Sequence, residues 1–465
     1  MLLALLCTAA MVVMAGEAML VAAFPVIEAE FGVSSVFTAW ILPAMMIVGA
    51  MTIPAIGVLG DRYGKKRLLL ICLSIYTAGV IFGGFASDML SLLCCRALQG
   101  AGLAVGPIAC ALIAEQVPER LVPSAIGLVA ATDGAGTFAG VLTGSYVVEH
   151  YGWQTCYHGM VPVAVLLVLA AAIIVRPSPR REGCGRVDLA GTALFSLAIL
   201  CGMIAISLWN PSGLPGPTVT ALFVFALGAL VLFLHREGHA EDPVFNAGFF
   251  LKSPVRTVCI NDMVVMLLFF LLLQSMPYII ESPAGLGLTA FSVGLIMVPG
   301  TVADMISGAV AGRIVQKKGF QFAFIIGAVE IAVGCGFLIL FPLSVPVLAL
   351  VWTAVSSGMS ILLTVDNIVV VAAAPPAKLT TASALIHTLQ NVGGTLGPLI
   401  TGIALAGQGG APAGTAFATI FAIGGAIAVL VLVQAGLVQG TTVGSPGPEN
   451  SPRENPALFS CSERD

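Results

Sequence analysis

Long apolar runs alternate with short polar breaks along nearly the whole chain. About 20 apolar residues suffice for a helix to cross a bilayer. Runs of that length lie near residues 2–27, 37–59, 68–86, 90–114, 122–148 and 155–175. Two more follow near 189–208 and 217–235, then six near 256–280, 288–311, 321–341, 346–373, 380–405 and 415–437. The pattern predicts fourteen transmembrane helices in the order six, two, six. Residues 1–175 form an N-terminal six-helix bundle, and 176–255 a linker with two extra transmembrane helices and a polar loop. Residues 256–437 form a C-terminal six-helix bundle, and 438–465 a disordered tail rich in Pro, Ser and Glu. Within the linker, 176–188 is rich in Pro, Arg and Gly. Trp209-Asn210-Pro211-Ser212-Gly213 turns the chain, and Phe249-Phe250 is expected at the membrane interface.

Composition agrees. The chain is 58% hydrophobic and 9% charged, with a mean hydropathy of +1.05, well above the roughly 45–50% apolar content of a soluble domain. A net charge of −4 is spread over loops and tail, with no basic stripe for nucleic acid. The 11 cysteines lie mostly inside apolar runs, Cys7, Cys72, Cys94 and Cys335 among them. They show neither metal spacing nor a disulfide framework. His235-x-x-x-His239, with Glu237 and Glu241, could bind a metal, but a hydrated loop beside the membrane explains it equally well. No metal or other cofactor is expected. Met1-Leu2-Leu3 lacks the basic leader of a signal peptide, so the first run is expected to remain as a span.

The breaks alternate in charge. Arg62 to Arg67, Glu119-Arg120 and Arg176 to Arg186 carry Arg or Lys; Glu28-Ala29-Glu30, Asp88 and His150-Tyr151-Gly152-Trp153 do not. Lys and Arg concentrate on the cytoplasmic side. The expectation is a multi-pass plasma-membrane protein, a monomer in the lipid bilayer, with both termini cytoplasmic.

The densest polar stretch is Gly57-Val58-Leu59-Gly60-Asp61-Arg62-Tyr63-Gly64-Lys65-Lys66-Arg67. A loop that only sets orientation accounts for the Lys and Arg block, but not for Asp61 or the glycine spacing. The stretch resembles the loop between helices 2 and 3 of the major facilitator superfamily. The resemblance implies an all-α polytopic membrane protein: two six-helix pseudo-repeat bundles plus two extra central helices. It also implies a gating loop in which Asp61 and Arg62 latch the cytoplasmic gate, Gly57 and Gly64 permit a tight turn, and Lys65 and Lys66 extend the basic block. Resemblance to the fourteen-span drug:proton antiporter branch covers nearly all of 1–437. Arg186-Val187-Asp188-Leu189-Ala190-Gly191 looks like that branch's lead into the two extra helices.

The two sets of six are related. Gly57 and Gly64 correspond to Gly312 and Gly319, while Asp61 becomes Gln316 and Arg62 becomes Lys317. Gly136-x-x-x-Gly140-Val141 recurs as Gly393-x-x-x-Gly397-Pro398. Close helix packing explains one such pair; two pairs in the same order indicate duplication, the basis of alternating access.

Polar residues inside the runs are the candidate chemistry. Arg96, Gln99 and Gly100 share a helical face. An Arg inside a span costs roughly 2.5–3.5 kcal/mol on insertion scales, so it needs a partner, a cavity or a route to the surface. The stretch is similar to the family's Arg-x-x-Gln-Gly signature, which implicates Arg96 in proton coupling. Asp133 precedes Gly136, Gly140 and Gly144, which resemble the antiporter signature except that Val141 and Ser145 replace its Pro and last Gly. Glu17, eight residues ahead of Pro25, is one place off the acid of related exporters. Asp304, Asp366 and His387 fall on helices that would line a cavity in the family fold, His387 beside Gln390 and Asn391. Glu330 is expected on an outer helix, and Asp262 near the cytoplasmic end, where it would be hydrated. For each acid a role in coupling or substrate binding stands beside a local hydrogen bond.

The expected function is secondary active efflux of drug-like or amphipathic small molecules by alternating access, coupled to protons. No Gly-rich phosphate loop, metalloprotease pattern or nucleophile elbow is present, which argues against ATP as the direct energy source and against an enzyme. Proton-coupled transport of a defined metabolite, such as an organic or amino acid, and a non-transporting sensor remain as alternatives.

Overall fold

The computed structural model describes residues 1–118, 121–177, 189–209, 216–237, 253–373, 379–406 and 413–437, and all regular structure among them is helical. The first run is a broken helix: α1 (Leu2–Ala18), a 3-10 turn at Val21–Ala23 and α2 (Phe24–Phe31). Pro25 sits in the first turn of α2, where its missing N–H is not needed. The second unit is α3 (Ser35–Thr38) with α4 (Ile41–Tyr63), and the third is α5 (Lys65–Gly83). The fourth is again broken, into α6 (Met89–Gln99), a 3-10 stretch at Gly100–Ala104 and α7 (Val105–Gln116). Then come α8 (Val122–Tyr151) and α9 (Trp153–Ile174). The central pair is α10 (Leu189–Leu208) and α11 (Pro217–Glu237). The second half is α12 (Ser253–Glu281), α13 (Ala290–Lys318), α14 (Phe320–Leu340), α15 (Val345–Ala373), α16 (Leu379–Ala406) and α17 (Ala413–Leu437).

Among the described residues, eleven of these units are long and apolar enough to cross a membrane. The remaining expected runs are occupied by α8, α10 and α16. Loop 238–252, the tail from 438, Glu119-Arg120 and most of the linker 176–188 lie outside the described residues, and with them Phe249-Phe250 and His239.

The charged connector is not a loop. Helix α4 runs through Asp61 and Arg62 to Tyr63, and α5 starts at Lys65. Only Gly64 joins them, at φ +91°, in a region that strains any residue with a Cβ. Gly319 joins α13 to α14 in the same way at φ +84°, so the duplication inferred from glycine spacing reaches the backbone conformation.

The duplication is also visible in packing. Helix α8 lies on α1 so closely that a Cβ on Gly136, Gly140 or Gly144 would come within 2.4 Å of the carbonyl oxygens of Met11, Ala15 and Met19 respectively. In the second half Gly393 and Gly397 meet Met263 and Leu267 of α12 in the same manner. One turn further, where Gly144 faces Met19, Thr401 instead donates its hydroxyl to the Leu271 carbonyl at 2.9 Å. Pro398 follows Gly397 inside α16. The halves meet along α8 with α13 and α4 with α16, and α10 leans on α4. Helices α9 and α11 turn Leu166, Ile173, Val224 and Leu227 outward, as lipid-facing helices do.

Candidate functional site

Two helix breaks meet at one buried cation. The end of α1 leaves carbonyls without an i+4 donor, and Arg96, at the end of α6, fills that need. Its Nη1 donates to Gly16 O at 2.8 Å and to Gln99 Oε1 at 3.1 Å, and its Nη2 to Glu17 O at 3.3 Å. Gln99 in turn donates to Gly79 O on α5 at 3.0 Å. Both side chains are fully buried, so Arg96 does not snorkel outward. A cation at a helix C-terminus is electrostatically favoured. Arg96 therefore clamps the break in the first span rather than projecting into open space.

Glu17, Asp133 and Asp304 converge from α1, α8 and α13. Asp133 lies within electrostatic reach of both Glu17 and Asp304. A Cβ on Gly134 would sit 3.5 Å from Asp304 Oδ2, so this carboxyl rests against the helix of the other half. All three are half-buried, Asp133 and Asp304 midway along α8 and α13 and Glu17 at the C-terminal end of α1. Arg96 is within electrostatic reach of Glu17, but its donors are taken by the Gly16 and Glu17 carbonyls and the Gln99 amide oxygen. The space where the halves meet is therefore rich in acid.

Asp366 and His387 do not join that group. They belong to a second cluster inside the second half. Asn261 Nδ2 donates to Asp366 Oδ2 at 2.6 Å, Gln390 Nε2 to Asp262 Oδ2 at 3.4 Å, and His387 Nδ1 to Gln390 Oε1 at 3.0 Å. Asp262, expected to be hydrated, is fully buried, as are Asn261 and Asp366. The expectation failed because Asp262 lies only ten residues into its run in sequence, yet packing among α12, α15 and α16 closes over it. Asn261, beside Asp262 in sequence, carried no signal of its own.

At the face away from Lys65 and Lys66, polar contacts tie the halves together. The Tyr278 hydroxyl donates to Glu28 Oε2 at 2.8 Å, Phe291 N to Glu149 Oε2 at 2.7 Å, and Ser35 Oγ to Gly402 O at 3.0 Å. Within the first half, Trp153 Nε1 and Gln154 Nε2 both donate to the Glu30 carboxylate, at 2.7 and 2.9 Å. Glu149 lies beyond the spanning part of α8. The Thr289 hydroxyl and the Phe291 N–H hold its carboxyl below the ordinary glutamate range.

Of the gating stretch, Lys65 pairs with Glu115 on α7, and Lys66 donates to Ala172 O on α9 at 2.7 Å. The side chains of Asp61 and Arg62, and the surroundings of Gly57, lie outside what the structure describes. Glu330 borders an open groove of about 500 Å³ with Pro299, Ala303 and Ser357, apart from both acid clusters.

Two duplicated halves meeting along two helix pairs, with carboxyls between them, are the architecture of a membrane transporter that works by alternating access. The Major Facilitator Superfamily family model matches residues 6–398, and the chain belongs to that superfamily. It is 27% identical over 414 residues to the multidrug efflux pump LfrA of Mycolicibacterium smegmatis, covering 86% of this chain and 79% of that one. It is 26% identical over 392 residues to the multidrug resistance protein Stp of Mycobacterium tuberculosis, covering 83% and 72%. A crystal structure of the nucleoside transporter NupG superposes with a TM-score of 0.67 at 10% identity, covering 94% of this chain and all of that one; at that identity the likeness is one of fold.

Proposed function

We propose that the protein exports amphipathic, drug-like cations across the plasma membrane in exchange for protons, as a monomer with both termini in the cytoplasm. The observation that carries this reading is the convergence of Glu17, Asp133 and Asp304 where the halves meet, with the only nearby cation, among the described residues, turned onto backbone carbonyls. An acid-rich cleft attracts cations and repels anions. The multidrug relatives support the substrate class. Lys65, Lys66, Arg313, Lys317 and Lys318 gather at one face, which positive-inside placement makes cytoplasmic. The Glu28–Tyr278, Glu149–Phe291 and Ser35–Gly402 contacts then close the external side.

In this mechanism residues 1–175 and 256–437 rock about the cleft, and the Asp61–Arg62 stretch latches the cytoplasmic side. A neutral acid tolerates occlusion in the bilayer and an ionised one does not. Proton entry therefore releases a bound cation and resets the cleft. Each proton moved down ~100 mV supplies about 2.3 kcal/mol.

The test is flux of ethidium and of an anionic dye in proteoliposomes. Ethidium should move against its gradient when a pH gradient is imposed and stop when a protonophore collapses it. Asp133→Asn and Asp304→Asn should each lower that flux about tenfold, within the usual range of coupling between sites. Equal transport of the anionic dye, or ethidium flux indifferent to the pH gradient, would reject the proposal.

A further inference from the structure

We propose that Asp262 and Asp366 form a proton-binding carboxyl pair, separate from the substrate cleft, that holds one proton between them and gives it up when substrate binds. The proposal rests on the proton-coupled reading above and assigns the coupling ion to a place within it. The two carboxyls come from α12 and α15, are fully buried, and lie within hydrogen-bonding reach of each other. Two carboxylates cannot both stay ionised at such a distance without a cation, and a buried charge without one is expensive.

No such cation is at hand among the described residues. Helices α12, α15, α16 and α17 carry one Arg or Lys between them, Arg256, and it is exposed at the start of α12. The groups that do face the pair are the Cys259 thiol on α12 and His387 on α16, the latter acting through Gln390. On neighbouring α13, Asp304 points instead at Gly134, and Arg313, Lys317 and Lys318 lie in the last turns. The direct donors, Asn261 and Gln390, are neutral amides and supply one hydrogen bond to each carboxyl. Asp262 Oδ1 and Asp366 Oδ1 are buried and accept none. A single proton on one carboxyl, donated to the other, would satisfy an orphaned oxygen and halve the charge.

The repeat adds an independent reason. In the first half Cys7 on α1 and Cys110 on α7 lie within electrostatic reach of Asp133 on α8. In the second half Cys259 on α12 bears the same relation to Asp262 and Asp366, and Gln390 approaches from α16 in the manner of Asp133. One pocket of each half thus carries acid, and only the second closes it off from the cleft. Helix α16 lines the interface with α4 while holding Gln390, so a change at the cleft has a direct mechanical route to the pair.

The test uses purified full-length protein in weakly buffered detergent, with ethidium as the probe and a pH-indicating dye as the readout. Wild type should release about one proton per ethidium bound and bind ethidium more tightly as pH rises; Asp262→Asn and Asp366→Asn should reduce the release at least about tenfold and flatten that pH dependence, as reciprocal coupling requires. Full release from both variants, or from the double variant, overturns the proposal while leaving proton coupling intact. If wild type binds ethidium and releases no proton, and only a sodium gradient drives its flux, both readings fail together. Asp366→Glu keeps a titratable pair where an Asn variant does not fold. It should retain release with a displaced pH midpoint, and an unmoved midpoint also overturns the assignment.

Discussion

Arg96 shows how a charge becomes tolerable inside a membrane protein. Broken backbone and buried guanidinium satisfy each other: the end of α1 offers Gly16 O and Glu17 O, and Arg96 consumes both. Charge-assisted hydrogen bonds contribute about 1.5–3 kcal/mol each. Arg96→Ala should therefore lower stability by roughly 3 kcal/mol, read as a fall in melting temperature of the purified protein. Arg96→Lys, a single point charge without the planar fork, should fall between the two. A melt unchanged by Arg96→Ala would mean that the break in α1 does not depend on it. The sequence marked Arg96 as needing a partner but could not supply one, because backbone carbonyls freed by a distant helix break carry no side-chain signature. Asp262 was unreadable for the opposite reason. Its position along its own run suggested water, and only the packing of α15 and α16 removes it.

Among elements, the helices themselves were the legible part. Apolar runs near 189–208 and 321–341 became α10 and α14 with ends shifted by at most a residue, since the bilayer length requirement leaves little freedom. Breaks inside a run were invisible, because α1 with α2, and α6 with α7, keep one continuous apolar pattern across 3-10 turns. The pairs Gly136 with Gly140 and Gly393 with Gly397 were legible for a physical reason: each of the four marks a place where only hydrogen fits, whereas Gly64 and Gly319 are set apart by positive φ and Gly312 has open space at its Cβ position. Gly140→Leu would drive a side chain into the Ala15 carbonyl, 2.4 Å from the position of the Cβ. Overpacking of this kind costs about 1–3 kcal/mol, so melting temperature and flux should both drop. Gly436→Ala is the control. Nothing lies within 4 Å of its Cβ position, and Ala at a helical site should be neutral or stabilising by up to about 1 kcal/mol. Equal damage from the two would remove close helix approach as the explanation.

For the whole molecule, the seal at the face away from Lys65 and Lys66 has a pH sense. Glu149 is held below the ordinary glutamate range by the Thr289 hydroxyl and the Phe291 N–H. Its contact therefore contributes fully above about pH 4.3, the free-glutamate value, and is lost as pH falls through the lowered one. Spin labels on the ends of α8 and α13 that carry Glu149 and Phe291 should report separation growing on acidification in that range, and Glu149→Gln should remove the dependence. Distances that do not change with pH would show that the seal rests on Glu28–Tyr278 and Ser35–Gly402 alone. The single-residue joints at Gly64, Gly152 and Gly319 bear on how such a seal opens. A join of one residue has no slack, so a tilt imposed on one span must be copied by the next instead of being absorbed between them. At these three joints the paired spans are geared together as well as packed along their sides, so a displacement of one helix end is handed straight to its neighbour.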